Sequence, residues 1–249
     1  MEKLKFSPGN AKLIGIPSMS LLSGYSCPFA DECFTKVDLK TNKIIDGPQQ
    51  KYRCFSATAE NIFPSVLKQR KFNFDLLRSL KTTKEMAKLI LESMPNPKKK
   101  IIRIHVAGDF FNQTYFDAWI EVAKSKPDFL FYAYTKSLQY WVNRLTDIPE
   151  NLKITASKGG KLDNLIPIHN LKYVQVVGSP EEAEELQLEL DHDDSHAYGG
   201  DKSFSLLIHG TQKAGTEMAK AKNELRARGI KGYQRKAGKT PNAFRAKAA

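Results

Sequence analysis

The stretch Ile101-Ile102-Arg103-Ile104-His105-Val106-Ala107 decides the fold class, because it is a mostly apolar, β-branched run that stops at Gly108. Such a run predicts a buried strand. Residues 113–126 follow it and place their apolar side chains at the spacing of an amphipathic helix. A buried strand followed by a helix is the repeating unit of a parallel sheet.

The same alternation continues along the chain on both sides of this unit. Six strands are expected, at residues 13–22, 101–107, 129–134, 152–156, 173–177 and 204–208. Helical segments follow them, and residues 212–228 form the last helix. The predicted fold class is therefore α/β, a six-stranded parallel (β/α)6 partial-barrel-like sheet covered by helices. An open doubly wound sheet has the same pattern and stays an alternative.

The chain divides into one domain and a basic tail. Residues 1–229 are predicted to form a single α/β domain, whose loop at residues 23–60 carries all three cysteines. Residues 230–249 have no periodicity and are expected to be flexible. Of the formal charge of +12, most belongs to this end, because residues 220–249 hold ten basic residues and one acid.

A basic segment of this kind attracts polyanions, so nucleic acid is the natural partner. A solvated tail that only promotes solubility fits the composition equally well. The sequence has no apolar run of about 18 residues, so a membrane span is not expected. The N-terminal residues lack the apolar stretch of a signal peptide, which predicts a cytoplasmic protein. Nothing in the sequence indicates an oligomeric state.

Cys27, Cys33 and Cys54 are the only thiols of the chain, and their spacing is C-x5-C-x20-C. Cytosolic thiols stay reduced, which favours metal binding or chemistry over a disulfide. Three thiolates suit an iron–sulfur cluster with one iron not held by cysteine, or zinc with a fourth ligand from elsewhere. Inert thiols are the third interpretation.

Polar and glycine-rich loops follow the predicted strands, where a parallel sheet binds its ligands. Gly108 and Asp109 follow one strand, Lys136 the next and Ser157 the one after, and we predict that these four residues line a cofactor pocket. His209 follows the last strand and is the candidate general acid or base. Turns are often polar and rich in glycine in any protein, which is the alternative interpretation.

A three-cysteine loop after the first strand of a six-strand βα array resembles the radical S-adenosylmethionine enzymes. The resemblance implies that Cys27, Cys33 and Cys54 hold a 4Fe–4S cluster whose free iron binds S-adenosylmethionine. Ala107-Gly108-Asp109 matches the short element that contacts the cofactor's amino group in that superfamily. The superfamily usually spaces its cysteines C-x3-C-x2-C, whereas Arg53-Cys54-Phe55-Ser56-Ala57 reads like the end of such a motif after an insertion of residues 34–53.

A second resemblance covers most of the chain and points to a phage family. Its segments are Gly9-Asn10-Ala11-Lys12, Cys27-Pro28-Phe29-Ala30-Asp31-Glu32-Cys33, Arg103-Ile104-His105-Val106-Ala107-Gly108-Asp109-Phe110-Phe111 and Phe131-Tyr132-Ala133-Tyr134-Thr135-Lys136-Ser137. They resemble the phage "gene product 88" family, which is largely uncharacterised. The resemblance implies a phage origin, and hence the host cytoplasm as the location.

Two functional hypotheses follow. The first is a phage-encoded, radical-SAM-like iron–sulfur enzyme that acts on nucleic acid or a nucleotide. The second is a non-enzymatic nucleic-acid-binding protein stabilised by zinc or iron–sulfur. Zinc would need a fourth ligand, but His105 is expected to pack in the core, and residues 191–196, with His192 and His196, are expected to form a solvated acidic turn rather than a divalent-metal site.

Overall fold

The computed structural model of the protein describes residues 2–9 and 13–230. Its strands are β1 (Thr35–Val37), β2 (Ile44–Asp46), β3 (Ile101–Arg103), β4 (Leu130–Thr135), β5 (Leu152–Ser157), β6 (Tyr173–Val177), β7 (Glu189–Leu190) and β8 (Phe204–Leu207). Its helices are α1 (Phe55–Ile62), α2 (Pro64–Ser79), α3 (Thr83–Ser93), α4 (Gln113–Ser125), α5 (Leu138–Val142), α6 (Leu165–Ile168), α7 (Pro180–Glu185), α8 (Ser195–Gly199) and α9 (Glu217–Ala227). The predicted basic tail lies outside the described residues, apart from its first residue.

The main sheet confirms the predicted fold class. Six strands pair in the order β3-β4-β5-β6-β8-β7, every pair is parallel, and the sheet curls into a half-barrel. Because the strands are parallel, the loops that leave their carboxyl ends gather at one edge of the sheet. This edge is where the sequence places its candidate site residues.

The first predicted strand is wrong as a strand, although its position beside β3 is right. Residues 17–21 run along β3, with the Arg103 N–H donating to Pro17 O at 3.0 Å and the Leu21 N–H donating to Ala107 O at 2.9 Å. Pro17 has no N–H to donate, and the ladder is reduced to isolated bridges. The sixth strand is instead the short β7, which the sequence pattern did not indicate.

The two faces of the sheet bury different kinds of side chain. Ile102, Phe131, Ala133 and Ile154 lie in the largest apolar core, which α3 and α4 cover. The opposite face carries Tyr132, Val174 and Phe204, and Ala197 of α8 packs against them. The curled sheet therefore has an apolar outer face under helices and a partly polar inner face.

The helices that the sequence predicted begin where their capping signals lie. Thr82 and Glu85 form a reciprocal capping box at the start of α3. Ser179 caps α7 by accepting a hydrogen bond from the Glu182 N–H. The last helix starts at Glu217, five residues later than predicted. The sequence interpretation missed α1 and α2 altogether.

Among the residues that the structure describes, no helix combines the length and apolar character needed to cross a membrane.

Candidate thiol site

The 20 residues between Cys33 and Cys54 begin with a β-hairpin, in which β1 and β2 pair antiparallel. A hairpin leads the chain out and back, so the two cysteines lie near its base rather than at opposite ends of a long loop. The expectation that residues 34–53 form an insertion within one motif therefore has a structural counterpart.

The hydroxyl of Thr35 joins the two cysteines directly. Its Oγ1 donates to Cys33 O at 3.3 Å and accepts from the Cys54 N–H at 3.2 Å. Gln50 Nε2 also donates to Thr35 Oγ1, at 2.7 Å. Thr35 is only 1% exposed, so these hydrogen bonds are shielded from water. One buried hydroxyl thus holds the backbones of Cys33 and Cys54 together.

Gln212, on the loop after β8, fixes the residue that precedes Cys54. The Arg53 N–H donates to Gln212 Oε1 at 2.8 Å, and Gln212 Nε2 donates to Arg53 O at 3.3 Å. The Arg53 side chain forms a two-point contact with Asp46 of β2, with its Nε 3.0 Å from Oδ1 and its Nη2 2.7 Å from Oδ2. The main sheet and the hairpin therefore both position Cys54.

Cys27 lies in the turn that follows residues 17–21, against the loop after β3. Gly108 has φ +82°, and a Cβ at this position would lie 2.5 Å from Ser26 Oγ. Only glycine fits such a close approach with this backbone conformation. Gly108 thus acts by bringing the β3 loop against the Cys27 turn.

The three cysteines are half-buried and close enough to affect one another's ionisation. Burial, together with a smaller contribution from the neighbouring Cys33, raises the pKa of Cys54 to about 11. Burial also raises the pKa of Cys27 well above its ordinary value, with additional contributions from Asp109, Cys54 and Cys33. Burial raises the pKa of Cys33, while the ammonium of Lys136 acts in the opposite direction. Negative charge at this site is therefore costly unless a cation balances it.

The four predicted cofactor residues also gather here, but their polar groups largely bond to neighbouring protein groups. The Asp109 carboxylate accepts the Phe110 N–H at 2.7 Å and the Lys136 N–H at 2.8 Å, and it also accepts the Thr135 hydroxyl. Burial raises the pKa of Asp109 to about 6, although these hydrogen bonds lower it. Their contact with a cofactor stays a prediction.

Lys136 is not a solvated lysine, since it is 6% exposed. Its Nζ donates to Ser157 O at 2.8 Å, to Ser157 Oγ at 2.9 Å and to Lys158 O at 2.6 Å. The side chain joins the loops after β4 and β5 and leaves a positive charge near Cys33.

His209 lies on the same side of the site as Cys54. Its ring centroid is 4.5 Å from that of Phe55, the residue after Cys54, and its Nδ1 is 3.1 Å from Leu207 O. The predicted role of His209 as a general acid or base is not tested by this arrangement.

The sequence as a whole identifies the relatives of this protein. Residues 3–230 match the family model described as Gene product 88. The chain belongs to the gene product 88 family. It is 30% identical over 135 residues to the Gene 88 proteins of Mycobacterium phages L5 and D29.

Each match to these two phage proteins covers 51% of this chain and 48% of the relative. The matched region thus spans about half the length of the curated relatives. No solved structure matches the chain. Membership in the gene product 88 family supports the expected phage origin and names no activity.

Across the described part of this gene product 88 chain, no group of three or more Cys, His, Asp or Glu side chains is arranged to hold a metal ion. Three cysteine thiols are suitable metal ligands, but their sulfur atoms must move closer together to bind one metal ion. His105 is not a nearby fourth ligand, because it is 2% exposed and its Nε2 lies 2.9 Å from Tyr115 Oη. The prediction of a core histidine is confirmed.

The expected solvated acidic turn at residues 191–196 is wrong. Asp191 and Asp194 are both buried. Asp194 Oδ2 pairs with Arg103 Nη1 at 2.5 Å and accepts the Tyr132 hydroxyl at 3.0 Å. His196 lies 3.0 Å from Asp191 Oδ1 and 3.0 Å from Glu189 Oε2. Asp194 is paired with Arg103, which is 91 residues away and therefore not shown by a local sequence pattern, whereas the partner of Asp191 is His196 of the same segment.

A polar cavity of about 210 Å³ adjoins the thiol site. Its lining includes Glu32, next to Cys33, and Tyr52, next to Arg53. Burial raises the pKa of Tyr52, and the neighbouring Cys33 and Glu32 add to the effect. A larger apolar cavity of about 530 Å³ lies elsewhere, between Phe6, Ile14 and Pro97. Neither cavity is lined by any of the predicted site residues.

Sequence reasoning missed Thr35, Gln212 and Tyr52. Their sequence neighbours gave one usable signal, since Thr35 and Tyr52 each lie two residues from a cysteine. Gln212 gave none, because its contact with Arg53 spans 159 residues.

Proposed function

We propose that Cys27, Cys33 and Cys54 hold a 4Fe–4S cluster and that the protein is a radical-SAM-like enzyme acting on nucleic acid or a nucleotide. The observation that carries the proposal is the hydroxyl of Thr35, which bonds to the backbones of Cys33 and Cys54. It supports a shared site for Cys33 and Cys54 despite the long gap, and the electrostatic interaction of Cys27 with both thiols supports Cys27 as the third ligand.

The electrostatics of the site also support a bound cationic group. Burial is the main cause of the raised pKa values of Cys27 and Cys54, and repulsion between the thiolates adds to it, as does the Asp109 carboxylate at Cys27. Thiolates bind metals far better than thiols do, so a metal centre would compensate this repulsion.

Other residues of the chain have defined parts in this proposal. Lys136 supplies positive charge next to Cys33 and holds the loops after β4 and β5 together. Gly108 keeps the β3 loop close to Cys27, and Asp109 fixes the start of the β4 loop through the Lys136 N–H. When bound, the cluster would supply an electron for reductive cleavage of S-adenosylmethionine.

Anaerobic purification, followed by iron and sulfide analysis, tests the proposal. We expect a brown protein with about four iron and four sulfide ions per chain, which cleaves S-adenosylmethionine once a reductant is added. Cys54→Ser should remove colour, iron and cleavage together, because it removes one of three ligands. Thr41→Ser at the exposed hairpin tip is the matched control and should keep all three.

A full cluster in Cys54→Ser would overturn the assignment of Cys54. A colourless wild-type protein with one zinc per chain would favour the second function, a metal-stabilised nucleic-acid-binding protein. One observation favours that second function: Asp109 and Lys136 already bond to neighbouring protein groups, as expected for residues that only hold loops together.

A further inference from the structure

The hairpin that closes the thiol site also presents a basic and apolar surface to solvent. Lys36 and Ile45 are register partners on β1 and β2, so their side chains share the outward face of the hairpin. Lys36 Nζ lies 5.1 Å from the ring centroid of Tyr25, which extends this face. Leu39, Lys40 and Lys43 form the exposed tip. We call Tyr25, Lys36, Leu39, Lys40, Lys43 and Ile45 the hairpin surface.

Exposed apolar side chains concentrate here. Of the nine large hydrophobic side chains exposed among the described residues, five lie on or beside the hairpin: Tyr25, Leu39, Ile45, Ile62 and Phe63. Ile62 and Phe63 follow Asn61, whose side chain and backbone bond reciprocally to Asn42 at the hairpin tip. Such a concentration marks an interaction surface rather than scattered exposure.

The charge of the hairpin surface selects an anionic partner. Its two acids are engaged within the hairpin: Asp38 accepts the N–H groups of Lys40 and Thr41 at 2.8 Å each, and Asp46 binds Arg53. Lys36, Lys40 and Lys43 remain on the outward side or the tip. Positive charge combined with exposed aromatic rings is the pattern that binds single-stranded nucleic acid, through phosphate contacts and base stacking.

We propose that the hairpin surface binds single-stranded nucleic acid and leads it to the thiol site. The inference rests on the proposed function, since it names the form of nucleic acid on which that site acts. The position of the hairpin supports this role, because Thr35 at the start of β1 bonds to the backbones of both Cys33 and Cys54. A strand that runs from the tip of the hairpin to its base would therefore reach the thiols.

The test is fluorescence anisotropy with the full chain and a labelled single strand of about 20 nucleotides, which exceeds a typical single-domain site. Lys40→Gln/Lys43→Gln should weaken binding about tenfold. It should also reduce the slope of log affinity against log salt by about 1.4, or about 0.7 for each phosphate that a lysine no longer neutralises. Lys84→Gln/Lys88→Gln, which removes two exposed lysines from α3, is the matched control and should bind as the wild type does.

Phe63→Ala removes the exposed ring that lies beside the hairpin surface and isolates its stacking contribution. It should weaken binding of the single strand and leave the weaker binding of a duplex of the same sequence unchanged. Equal affinity of the wild type for the duplex and the single strand would overturn the stated form of the partner. Unchanged binding of the single strand by Lys40→Gln/Lys43→Gln would overturn the proposed role of the hairpin surface. Binding of the wild type to anionic lipid vesicles that is lost in this variant, in place of an effect on the single strand, would overturn it as well.

Two further measurements separate the hairpin surface from the basic tail and from the thiol site. A chain lacking residues 231–249 should still lose affinity on Lys40→Gln/Lys43→Gln; loss of all binding by the deletion alone would overturn the proposal. The metal-free wild-type chain should bind the single strand as the metal-loaded chain does, because the hairpin surface needs no metal. Failure of the cluster and failure of the hairpin surface are therefore observed in different measurements.

Discussion

Two groups of ionisable side chains differ in how their charges are balanced. In a buried cluster on the inner sheet face, Arg103 forms an ion pair with Asp194. At the thiol site, the cysteine side chains Cys27, Cys33 and Cys54 interact mainly with one another. We call the first group, with Tyr132, Asp191 and His196, the ion-pair cluster. There each acid has a basic partner: Arg103 for Asp194, and His196 for Asp191. At the thiol site, burial and mutual repulsion raise the thiol pKa values, and Lys136 is the cation that acts on Cys33.

This difference separates a structural role from a functional one. A buried cluster whose charges are matched needs nothing further to be stable. A buried group of ionisable side chains with too little opposite charge is instead typical of sites that bind a ligand or metal. By this criterion the ion-pair cluster holds the acidic segment against the sheet, and the thiol site is the place to look for chemistry.

The largest effect is expected when the ion-pair cluster is broken. Asp194→Asn removes the carboxylate and leaves the buried Arg103 without its counter-charge, which should lower the free energy of unfolding by about 3–5 kcal/mol. Asp194 has φ +65°, a conformation that asparagine also adopts, so the backbone is not strained by the change. Urea unfolding measures the loss.

Asp201→Asn in the same acidic segment is the control, because Asp201 is exposed. It should change the free energy of unfolding by less than about 0.5 kcal/mol. A loss below about 1 kcal/mol for Asp194→Asn would mean that the Arg103 pair behaves as a surface pair, and the comparison would fail.

A smaller effect on stability, but a larger one on function, is expected for Thr35→Val. Valine keeps the side-chain shape and removes the oxygen that contacts Cys33 O, the Cys54 N–H and Gln50 Nε2. Unsatisfied buried groups should lower the free energy of unfolding by about 1–3 kcal/mol. The iron content after anaerobic purification should also fall, because the Thr35 hydroxyl no longer connects the backbones of Cys33 and Cys54.

Thr211→Val, in the exposed loop after β8, should alter neither quantity. Wild-type iron content in Thr35→Val would contradict the positioning role of the hydroxyl, even if stability falls.

The smallest effect concerns the pH dependence of the ion-pair cluster. Hydrogen bonds to the carboxylates of Asp191 and Glu189 raise the pKa of His196 above its ordinary value of 6.5, against the opposing effect of burial. A histidine whose pKa is higher in the folded state stabilises the protein fully below the unfolded pKa of 6.5. This contribution is lost as the pH rises through the folded pKa.

Unfolding in urea at pH 6 and pH 9 measures this contribution. From pH 6 to pH 9 the free energy of unfolding should fall more in the wild type than in His196→Gln. The difference between the two should be under about 1 kcal/mol, because His196 is partly exposed to solvent. His169→Gln, outside the cluster, should behave as the wild type does. An identical pH dependence in His196→Gln and the wild type would show that His196 does not act through its charge.

The elements that local signals predicted are those whose information lies within a few residues. The capping box of Thr82 and Glu85 and the apolar stripe of α4 are both contained in their own segments. The apolar runs of β4, β5 and β6 are equally self-contained. The hairpin strands β1 and β2 are three residues each, too short to show an alternating pattern.

The candidate site was predicted in its residues but not in its geometry. The sequence shows the three cysteines, and it shows polar residues and glycines directly after the apolar runs that form the strands. The engagement of Asp109 and Lys136 with neighbouring protein groups was not visible, because it joins three separate strand-end loops.

The sequence by itself determined the α/β alternation, the helix caps and the set of three thiols, because each depends on neighbouring residues. Tertiary structure alone decided which charges are matched. The partners Arg103 and Asp194 are 91 residues apart, and Thr35 and Cys54 are 19 apart. Burial changes the energy of a charged group according to what folds against it, and that partner comes from a distant part of the chain.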